Sequence, residues 1–441
     1  MTASGSTGRR PRRRPPARSR GLLATGLRSL AVRNFRLFVA GQIASVTGTW
    51  MMVVAQDWLV LDLSGDSVTA LATVTALQFT PMLLLTLYGG RVADRYDKRA
   101  LLTWTNVVSG LLALPLGLLV AGDSARLWHV YAFAFALGVA GAVEVPTRLS
   151  FIAELVGPDL VPNASALSGA YFNVARVLGP PLAGLLIEAV GPGTVMLVNA
   201  ASYAATVAGL RAMRPGELHH PPRAAARDAR VTEGLAHVRS RPDLVMTLAL
   251  LAAVSLFGLN LPLALPLMAR TVFRTDATAF GLLTAALAAG SLLAAFTGTL
   301  RRGRPPARLV IAWAGCFGVL AAATGWAPNL PVALVLLVPT GFASLSFVQA
   351  ANHRVQLGGD PAFRGRVMAL YTLILHGSAP LGALFVGTVT QHLGTRSALW
   401  AGGLISLAAA LVAAVADSGG TRPAAPSGRA RPPITRTGSG P

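Results

Sequence analysis

The chain has 441 residues, of which 53% are hydrophobic and only 12% are charged. An ordinary soluble domain carries about twice that charged fraction, so the composition excludes a soluble protein built from two or three globular domains. The net charge of +21 is typical of nucleic-acid-binding proteins. Here the basic residues flank long apolar runs instead, which favours a membrane protein that binds no nucleic acid.

Twelve apolar runs recur along the chain, each long enough to cross a membrane as an α-helix. About 20 residues at a rise of 1.5 Å span a hydrocarbon core of about 30 Å, whereas barrel strands would read as alternations of about ten residues. The sequence therefore predicts an all-α integral membrane protein with twelve transmembrane helices. The predicted helices are 37–61, 68–90, 100–121, 128–147, 164–189, 192–213, 244–269, 277–300, 308–327, 330–350, 367–390 and 396–416.

Basic residues fall almost entirely on one side of these helices. All but five of the 38 lysines and arginines lie in the two tails or in every second connection, including the connections around Arg148 and at 354–366. Cytoplasmic connections are enriched in Lys and Arg, so both termini are predicted to be cytoplasmic, as an even number of helices also requires. The five exceptions are Arg126, Arg176, Arg270, Arg274 and Arg396.

Polar segments divide the chain into two halves. The tails 1–33 and 417–441 have the composition of disordered segments, and the basic N-terminal tail is interpreted as a topology determinant that contacts anionic lipid headgroups. The longest internal polar stretch, 214–243, is predicted to be a cytoplasmic linker with one amphipathic helix. It separates an N-terminal six-helix half, 34–213, from a C-terminal one, 244–416.

The two halves show the same order of features at an offset of roughly 200 residues. In the first half, "PTR" ending at Arg148 is followed by "LGPPLAG" at 178–184; in the second, "NHR" ending at Arg354 is followed by "SAPLGAL" at 378–384. Two parallel repeats of six helices are typical of transporters that work by alternating access, with the substrate site between the halves.

A charged stretch, "GGRVADRYDKRALL" at 89–102, lies between helices 2 and 3. It resembles the G-x-L-A-D-R-x-G-R-R signature of the major facilitator superfamily, through Gly90, Asp94, Arg95, Lys98 and Arg99. The resemblance implies a conformational latch. Gly90 would allow close helix approach, Asp94 would lie near the N-terminal end of helix 11, and the group from Arg95 to Arg99 would pair with acidic groups across the seam between the halves. The alternative is that these charges only mark the cytoplasmic side.

Two features depart from that signature. Asp97 stands where the family usually has glycine, and aspartate adopts a left-handed conformation less readily, so a less tight turn is expected. The equivalent loop of the second half, "RRGRPPARL" at 301–309, keeps the arginines but contains no acid. The latch is therefore predicted to be one-sided.

Two further stretches narrow the resemblance. "GTWMMVVAQDWLVLDLSGDS" in helix 1 and "NVARVLGPPLAGLL" in helix 5 are similar to the branch that contains the enterobactin exporter and macrolide efflux proteins, called transmembrane secretion effectors. The resemblance implies the major facilitator fold and export of a small compound. In helix 5, Gly179, Pro180, Pro181 and Gly184 resemble the Gly-Pro motif of antiporters, which implies a bent, closely packed helix that resists leak; ordinary helix kinks are the alternative.

Ionisable residues inside predicted helices are candidates for a proton or substrate pathway, because each costs several kcal/mol in a bilayer. These are Asp57, Glu144, Arg176 and His376. Glu144 could instead pair with Arg148 one turn on, and His376 could be a neutral imidazole hydrogen-bonded between helices.

Asn173 and Gln349 are amide candidates that either line a cavity or bond across helices. Arg176 lies roughly 18 Å from the cytoplasmic edge and must face protein or water. The superfamily fold places helices 1 and 5 side by side, so Asp57 is its preferred partner, although the two differ in depth by roughly 13 Å. The resulting hypothesis is a site where a proton and a substrate compete for one carboxylate.

The sequence thus predicts a secondary active transporter that exports a drug, siderophore or secondary metabolite, driven by proton antiport. An importer with the same fold and an integral membrane enzyme are the alternatives. The chain has no G-x-S-x-G or H-E-x-x-H motif, which argues against the enzyme, and no Walker-type loop, which argues against ATP hydrolysis. Cys316 is the only cysteine, so no intrachain disulfide is expected, and no Cys/His spacing indicates a metal site. No cofactor is expected. The predicted partners are the lipid bilayer, a small-molecule substrate and protons. The predicted setting is a monomer in the cell membrane of a bacterium with a GC-rich genome.

Overall fold

In a computed structural model, the described residues are 27–219, 236–299, 303–358 and 363–420. Within these ranges the chain is helical and contains no strand. Most of the predicted disordered tails, and residues 220–235 of the predicted linker, lie outside the described residues. Eight of the helices are uninterrupted: α1 Arg33–Ser64, α2 Val68–Arg95, α3 Lys98–Ala121, α4 Leu127–Val156, α8 Ala277–Thr299, α9 Ala307–Gly325, α10 Leu330–Gly358 and α12 Thr395–Gly420.

The remaining helices are interrupted. The run Val161–Arg211 is broken at Gly191, where φ is 81° and ψ is 162°, a conformation that glycine adopts without steric cost. We call the part before Gly191 α5 and the part after it α6. Two more are composite: α7 joins Pro242–Ala253 and Leu261–Leu267 through π-helical turns at Val254–Gly258 and Met268–Val272, and α11 joins Arg364–Gly377 and Ala379–Leu393.

Eleven helical segments in the described ranges are long and apolar enough to span a membrane, and one of them, Pro158–Arg211, contains both α5 and α6. The prediction of an all-α membrane protein is therefore confirmed. Three helices extend five or more residues further than predicted at their C-terminal ends, because α2 ends at Arg95, α4 at Val156 and α10 at Gly358. Arg148 and Arg354 thus lie within helices rather than in loops, since hydropathy marks where the apolar surface ends and not where backbone hydrogen bonding ends.

Polar side chains cap several helices and fix the short connections between them. The hydroxyl of Ser67 accepts a hydrogen bond from the backbone N–H of Ala70 at the start of α2 (3.2 Å). The carboxylate of Asp276 does the same for Ala279 in α8 (2.8 Å). These caps satisfy N–H groups that have no partner inside the helix.

Equivalent helices pack together in the two halves. In the first half α2 packs against α4 and α3 packs against α6; in the second half α8 packs against α10 and α9 packs against α12. The halves meet along two helix pairs, α5 with α8 and α2 with α11. The seam between the halves therefore runs through the middle of the helix bundle.

Candidate functional site

The helix bundle has two ends that differ in charge. We call the end where α2 meets α3, at Tyr96–Asp97, the basic end, and the end where α1 meets α2, at Gly65–Asp66, the opposite end. Because helices alternate in direction, the starts of α1 and α3 and the ends of α4 and α6 all lie at the basic end.

A small cavity of about 60 Å³ lies at the seam, and both halves contribute to its wall. One water molecule occupies about 30 Å³ of liquid, whereas sites for drug-sized ligands measure roughly 300–1,000 Å³. In this conformation the cavity can therefore admit water but not an organic substrate. Its lining residues are Trp50, Val53, Val54 and Asp57 of α1, Arg176 and Pro180 of α5, Pro262 of α7, and Phe280, Thr284 and Leu287 of α8.

Asp57 and Arg176 share the wall of this cavity but do not form the expected ion pair. Among the described residues, no cationic nitrogen lies within 4.0 Å of the Asp57 carboxylate. The Arg176 guanidinium instead lies over the ring of Trp50, 5.6 Å from its centroid. The site thus offers a carboxyl group that can exchange a proton with cavity water and, on the same wall, a separate permanent cation.

Glu144 and Asn173 bond to their own helices. The Glu144 carboxylate accepts a hydrogen bond from Arg148 at 2.9 Å, one turn on, as the alternative interpretation of this residue predicts. Because α4 continues to Val156, Glu144 lies three turns before the helix end rather than near it. Asn173 donates to the Gly169 carbonyl at 2.8 Å.

Gln349 and His376 also lie away from the cavity wall. The Gln349 amide packs against the backbone of Gly298 in α8. His376 is exposed on α11, two residues before the break at Ser378. Of the six candidate pathway residues, only Asp57 and Arg176 line the cavity.

The Gly-Pro motif of α5 packs in two directions. At Gly179, an added Cβ would lie 2.7 Å from the Trp50 Cβ of α1. At Gly184, it would lie 2.6 Å from the Ala277 carbonyl oxygen of α8. Pro180 and Pro181 carry the backbone that faces Gly281 of α8. The motif thus brings α5 into close contact with both halves at the seam.

Two basic residues of the motif at the junction of α2 and α3 bind helices of their own half. Lys98 pairs with Glu154 at the end of α4 (2.6 Å), and both side chains are mostly buried. Arg99 donates from Nε to the Leu210 carbonyl (2.7 Å) and from a terminal nitrogen to the Arg211 carbonyl (3.1 Å), at the end of α6. These contacts correct the expectation that the basic residues pair with acids across the seam.

The two motif residues expected at the latch are not engaged. Asp94 is exposed and has no ion pair with any described residue. Arg95 is also exposed, and its guanidinium lies 5.9 Å from the centre of the Tyr96 ring. Among the described residues, no ion pair therefore joins Asp94 to α11 in this conformation.

The close helix approach expected at Gly90 occurs at Gly89 instead. At Gly89 an added Cβ would meet the backbone of α4, 2.8 Å from the Ala142 carbonyl carbon and 3.1 Å from the Val143 Cα. At Gly90 it would meet no atom within 4 Å. The expectation was wrong by one residue, because adjacent positions on a helix face different neighbours.

Asp97 needs no left-handed conformation. Its φ of −61° and ψ of 118° are extended, and its carboxylate accepts a hydrogen bond from the Ala100 N–H (2.6 Å). Asp97 is the N-cap of α3, so replacement of the family's glycine exchanges a flexible turn for a capped one.

In the second half, an arginine of the loop at 301–309 pairs with an acid from another segment of the chain. Arg304 pairs with Asp243 at the start of α7 (2.5 Å), and Arg241 pairs with the same carboxylate (3.0 Å). The hydrogen bonds that Arg241 donates to the Asp243 carboxylate raise the pKa of the Arg241 guanidinium. The loop at 301–309 thus has no acid of its own, and Arg304 pairs within its own half, so a one-sided latch across the seam stays a prediction.

An ionic cluster closes the seam at the opposite end. Arg270 of α7 pairs with Asp62 of α1 and with Asp66, at 2.5 Å each, and its guanidinium lies 5.0 Å from the centre of the Trp58 ring. We call these four residues the Arg270 clasp. Sequence reasoning missed it, although Arg270 is one of the few basic residues on its side and "DLSGDS" brings two acids there.

A second polar contact lies at the same end. Thr278 of α8 donates to the carboxylate of Glu188 in α5 (2.6 Å). Both contacts join the first half to the second, so the opposite end of the seam is held closed by charge and hydrogen bonding as well as by the packing at Gly184.

Comparison with known proteins gives a family match over most of the chain. Residues 24–422 match the transmembrane secretion effector family. The multidrug efflux pump Tap of Mycobacterium tuberculosis is 26% identical over 393 residues, which cover 86% of this chain and 92% of that protein. The probable actinorhodin transporter of Streptomyces coelicolor is 26% identical over 377 residues, which cover 84% of this chain and 58% of that protein.

Solved structures share the fold at low identity. A POT family transporter in complex with 5-aminolevulinic acid has a TM-score of 0.66 at 11% identity, with 90% of this chain and 97% of that chain covered. A bacterial homologue of the human lysosomal transporter Spinster, inward-facing and unoccupied, has a TM-score of 0.63 at 15% identity, with coverage of 88% and 96%. With this fold and the family match, the chain belongs to the transmembrane secretion effector family of the major facilitator superfamily, as the sequence resemblance implied.

Proposed function

We propose that the protein is a secondary active transporter that exports small organic compounds across the cytoplasmic membrane. The observation that carries the proposal is the cavity at the seam, where α1 and α5 of one half and α7 and α8 of the other surround Asp57 and Arg176. Relatives that match most of this chain are named as an efflux pump and a transporter, which supports export rather than catalysis. One chain supplies both sides of the cavity, so the cavity is complete in a monomer.

The basic end faces the cytoplasm in this proposal, because cytoplasmic connections of membrane proteins are enriched in Lys and Arg. The Arg270 clasp then lies at the outer face and closes the seam there. A substrate enters from the cytoplasm or inner leaflet, and it leaves after the clasp opens and the halves rock about the seam.

Proton antiport is the drive that the cavity supports best. Asp57 is a carboxyl group next to water-sized space, and no described residue forms an ion pair with it, so it can bind a proton from outside and release it inside. Arg176 keeps its charge, because a guanidinium does not deprotonate in proteins. Substrate and proton then compete at Asp57, while the aromatic and apolar wall accepts the organic part of the substrate.

The test measures uptake of a panel of organic compounds, including siderophores and macrolides, into inside-out membrane vesicles from a strain that expresses the protein. We expect at least one compound to accumulate in the vesicles under an imposed proton gradient and its uptake to release protons. If the protein is correctly inserted and no compound accumulates more than in vesicles without the protein, the proposal fails. Gradient-driven accumulation only in right-side-out vesicles would identify an importer instead.

A further inference from the structure

A long groove runs between α3 and α6 on the side of the first half away from the seam cavity. Its volume is about 620 Å³, and its wall is almost wholly apolar. Along α6 it extends from Leu197 to Arg211, which corresponds to about 21 Å by helical rise. Gly110 of α3 and a row of alanines on α6, including Ala204, lack the bulk that would fill it.

The groove opens towards the surrounding lipid. Neighbouring side chains of α3 are large, apolar and exposed outside the bundle: Val108 is 43%, Leu111 is 64% and Leu114 is 44% exposed. In a membrane-spanning helix such side chains face acyl chains. Half of a hydrocarbon core measures about 15 Å, so an acyl chain from one leaflet can lie lengthwise in a groove of this length.

Three arginines converge at the basic end of the groove. Arg211 lines the groove itself. Arg99 donates to the carbonyls of Leu210 and Arg211, and Arg33 donates to the carbonyl of Ala212 (3.2 Å). Among the described residues, no carboxylate lies within 4.0 Å of these three guanidinium groups. The end of α6 therefore carries a cluster of positive charge that no described ion pair neutralises.

An exposed tryptophan marks the depth of this cluster. Trp104, on α3, is 68% exposed and lies five residues after Arg99. Tryptophan is enriched where the headgroups of a membrane meet its hydrocarbon core. The arginines are thus at headgroup level and the groove below them is at acyl-chain level.

We propose that this groove binds an anionic phospholipid, with one acyl chain between α3 and α6 and the phosphate held by Arg211, Arg99 and Arg33. The charge of the cluster selects an anionic headgroup over a zwitterionic one, and the groove selects a lipid over a free anion. The site is separate from the seam cavity, because the two share no lining residue.

The experiment uses the purified, delipidated full chain in detergent, with lipid binding followed by native mass spectrometry and by the melting temperature. The probes are phosphatidylglycerol, phosphatidylcholine with the same acyl chains, and inorganic phosphate. We expect phosphatidylglycerol to bind several times more tightly than phosphatidylcholine and to raise the melting temperature, and inorganic phosphate to do neither. Equal binding of both lipids, or the same stabilisation by inorganic phosphate, would overturn the proposal.

Two variants and a control locate the site. Arg211→Gln should weaken phosphatidylglycerol binding about fivefold and leave phosphatidylcholine unaffected, because one basic residue near a membrane surface contributes about 1 kcal/mol. Ala204→Trp should fill the groove and weaken the binding of both phosphatidylglycerol and phosphatidylcholine. The control is Arg239→Gln, which removes an exposed arginine of the linker, three residues before the start of α7 at the basic end. If Arg239→Gln reduces phosphatidylglycerol binding as much as Arg211→Gln does, the lipid responds to overall charge and the site is refuted.

Discussion

Replacement of Arg270 by glutamine should release the opposite end of the seam. The guanidinium makes two ion pairs and one cation–π contact, and its side chain is 24% exposed, whereas those of Asp62 and Asp66 are 45% and 41% exposed. At such exposure each ion pair contributes about 0.5–1 kcal/mol and the contact with Trp58 a similar amount. The closed conformation should therefore lose about 2 kcal/mol relative to the open one. That is a change of about 30-fold in their ratio.

Labelling of a cysteine in the cavity wall measures this shift. The native Cys316 is exposed, so it is first replaced by alanine, and Thr284→Cys then places the only thiol beside the cavity. A membrane-impermeant maleimide is applied from the outer side. We expect Arg270→Gln to raise the labelling rate by up to about 30-fold, because the rate follows the fraction of molecules open at that end.

Matched variants distinguish the loss of the specific contacts of the Arg270 clasp from the loss of one positive charge at that end. Arg274→Gln removes an exposed arginine from the same end, only four residues away, and should leave the labelling rate unchanged. Combined Asp62→Asn and Asp66→Asn should reproduce the effect of Arg270→Gln, and the triple variant should add little, because all three changes remove the same contacts. An unchanged rate in Arg270→Gln, or an equal rise in Arg274→Gln, would refute the clasp.

The remaining predictions concern packing and stability at the basic end, and each is read from the thermal unfolding of purified protein. Gly89→Ala should lower the free energy of unfolding by about 1–3 kcal/mol, because its Cβ would meet the α4 backbone, whereas Gly90→Ala should leave it unchanged or raise it. Equal effects of the two variants would contradict the observed contact of Gly89 with α4. Lys98→Gln and Glu154→Gln should each lower the free energy of unfolding by about 2 kcal/mol, and the double variant should lose less than the sum of the two. Losses that simply add would exclude a specific pair. Asp97→Ala should cost about 1 kcal/mol and Asp97→Gly only a few tenths, because glycine is tolerated at an N-cap; the reverse order would exclude capping.

The number and order of the helices could be predicted from the sequence, because hydropathy over about 20 residues follows directly from the thickness of a bilayer. The break between α5 and α6 illustrates this: the predicted gap between 189 and 192 contains Gly191, where the backbone turns. Helix ends at the basic end were less accurate, since α4 and α10 continue beyond their apolar surface.

The polar contacts between different helices could not be predicted, because their partners are distant in the chain, whereas the pair of Glu144 with Arg148 on one helix could. Lys98 and Glu154 are 56 residues apart, and Arg304 and Asp243 are 61 apart. The sequence shows each charge but not which helix faces it. Asp57 and Arg176 could be placed on neighbouring helices from the sequence resemblance. The sequence did not show that Arg176 contacts Trp50 instead of a carboxylate, because that contact depends on how the helices pack.

The central claim, that Asp57 couples export to the proton gradient, is tested most directly in proteoliposomes. The variant Asp57→Asn is compared with the native chain for gradient-driven transport of a compound identified in the vesicle screen, at equal amounts of inserted protein. Arg176→Gln, alone and combined with Asp57→Asn, serves to separate coupling from folding. The account predicts that Asp57→Asn abolishes gradient-driven accumulation at normal abundance. Accumulation by Asp57→Asn at the native rate would contradict it.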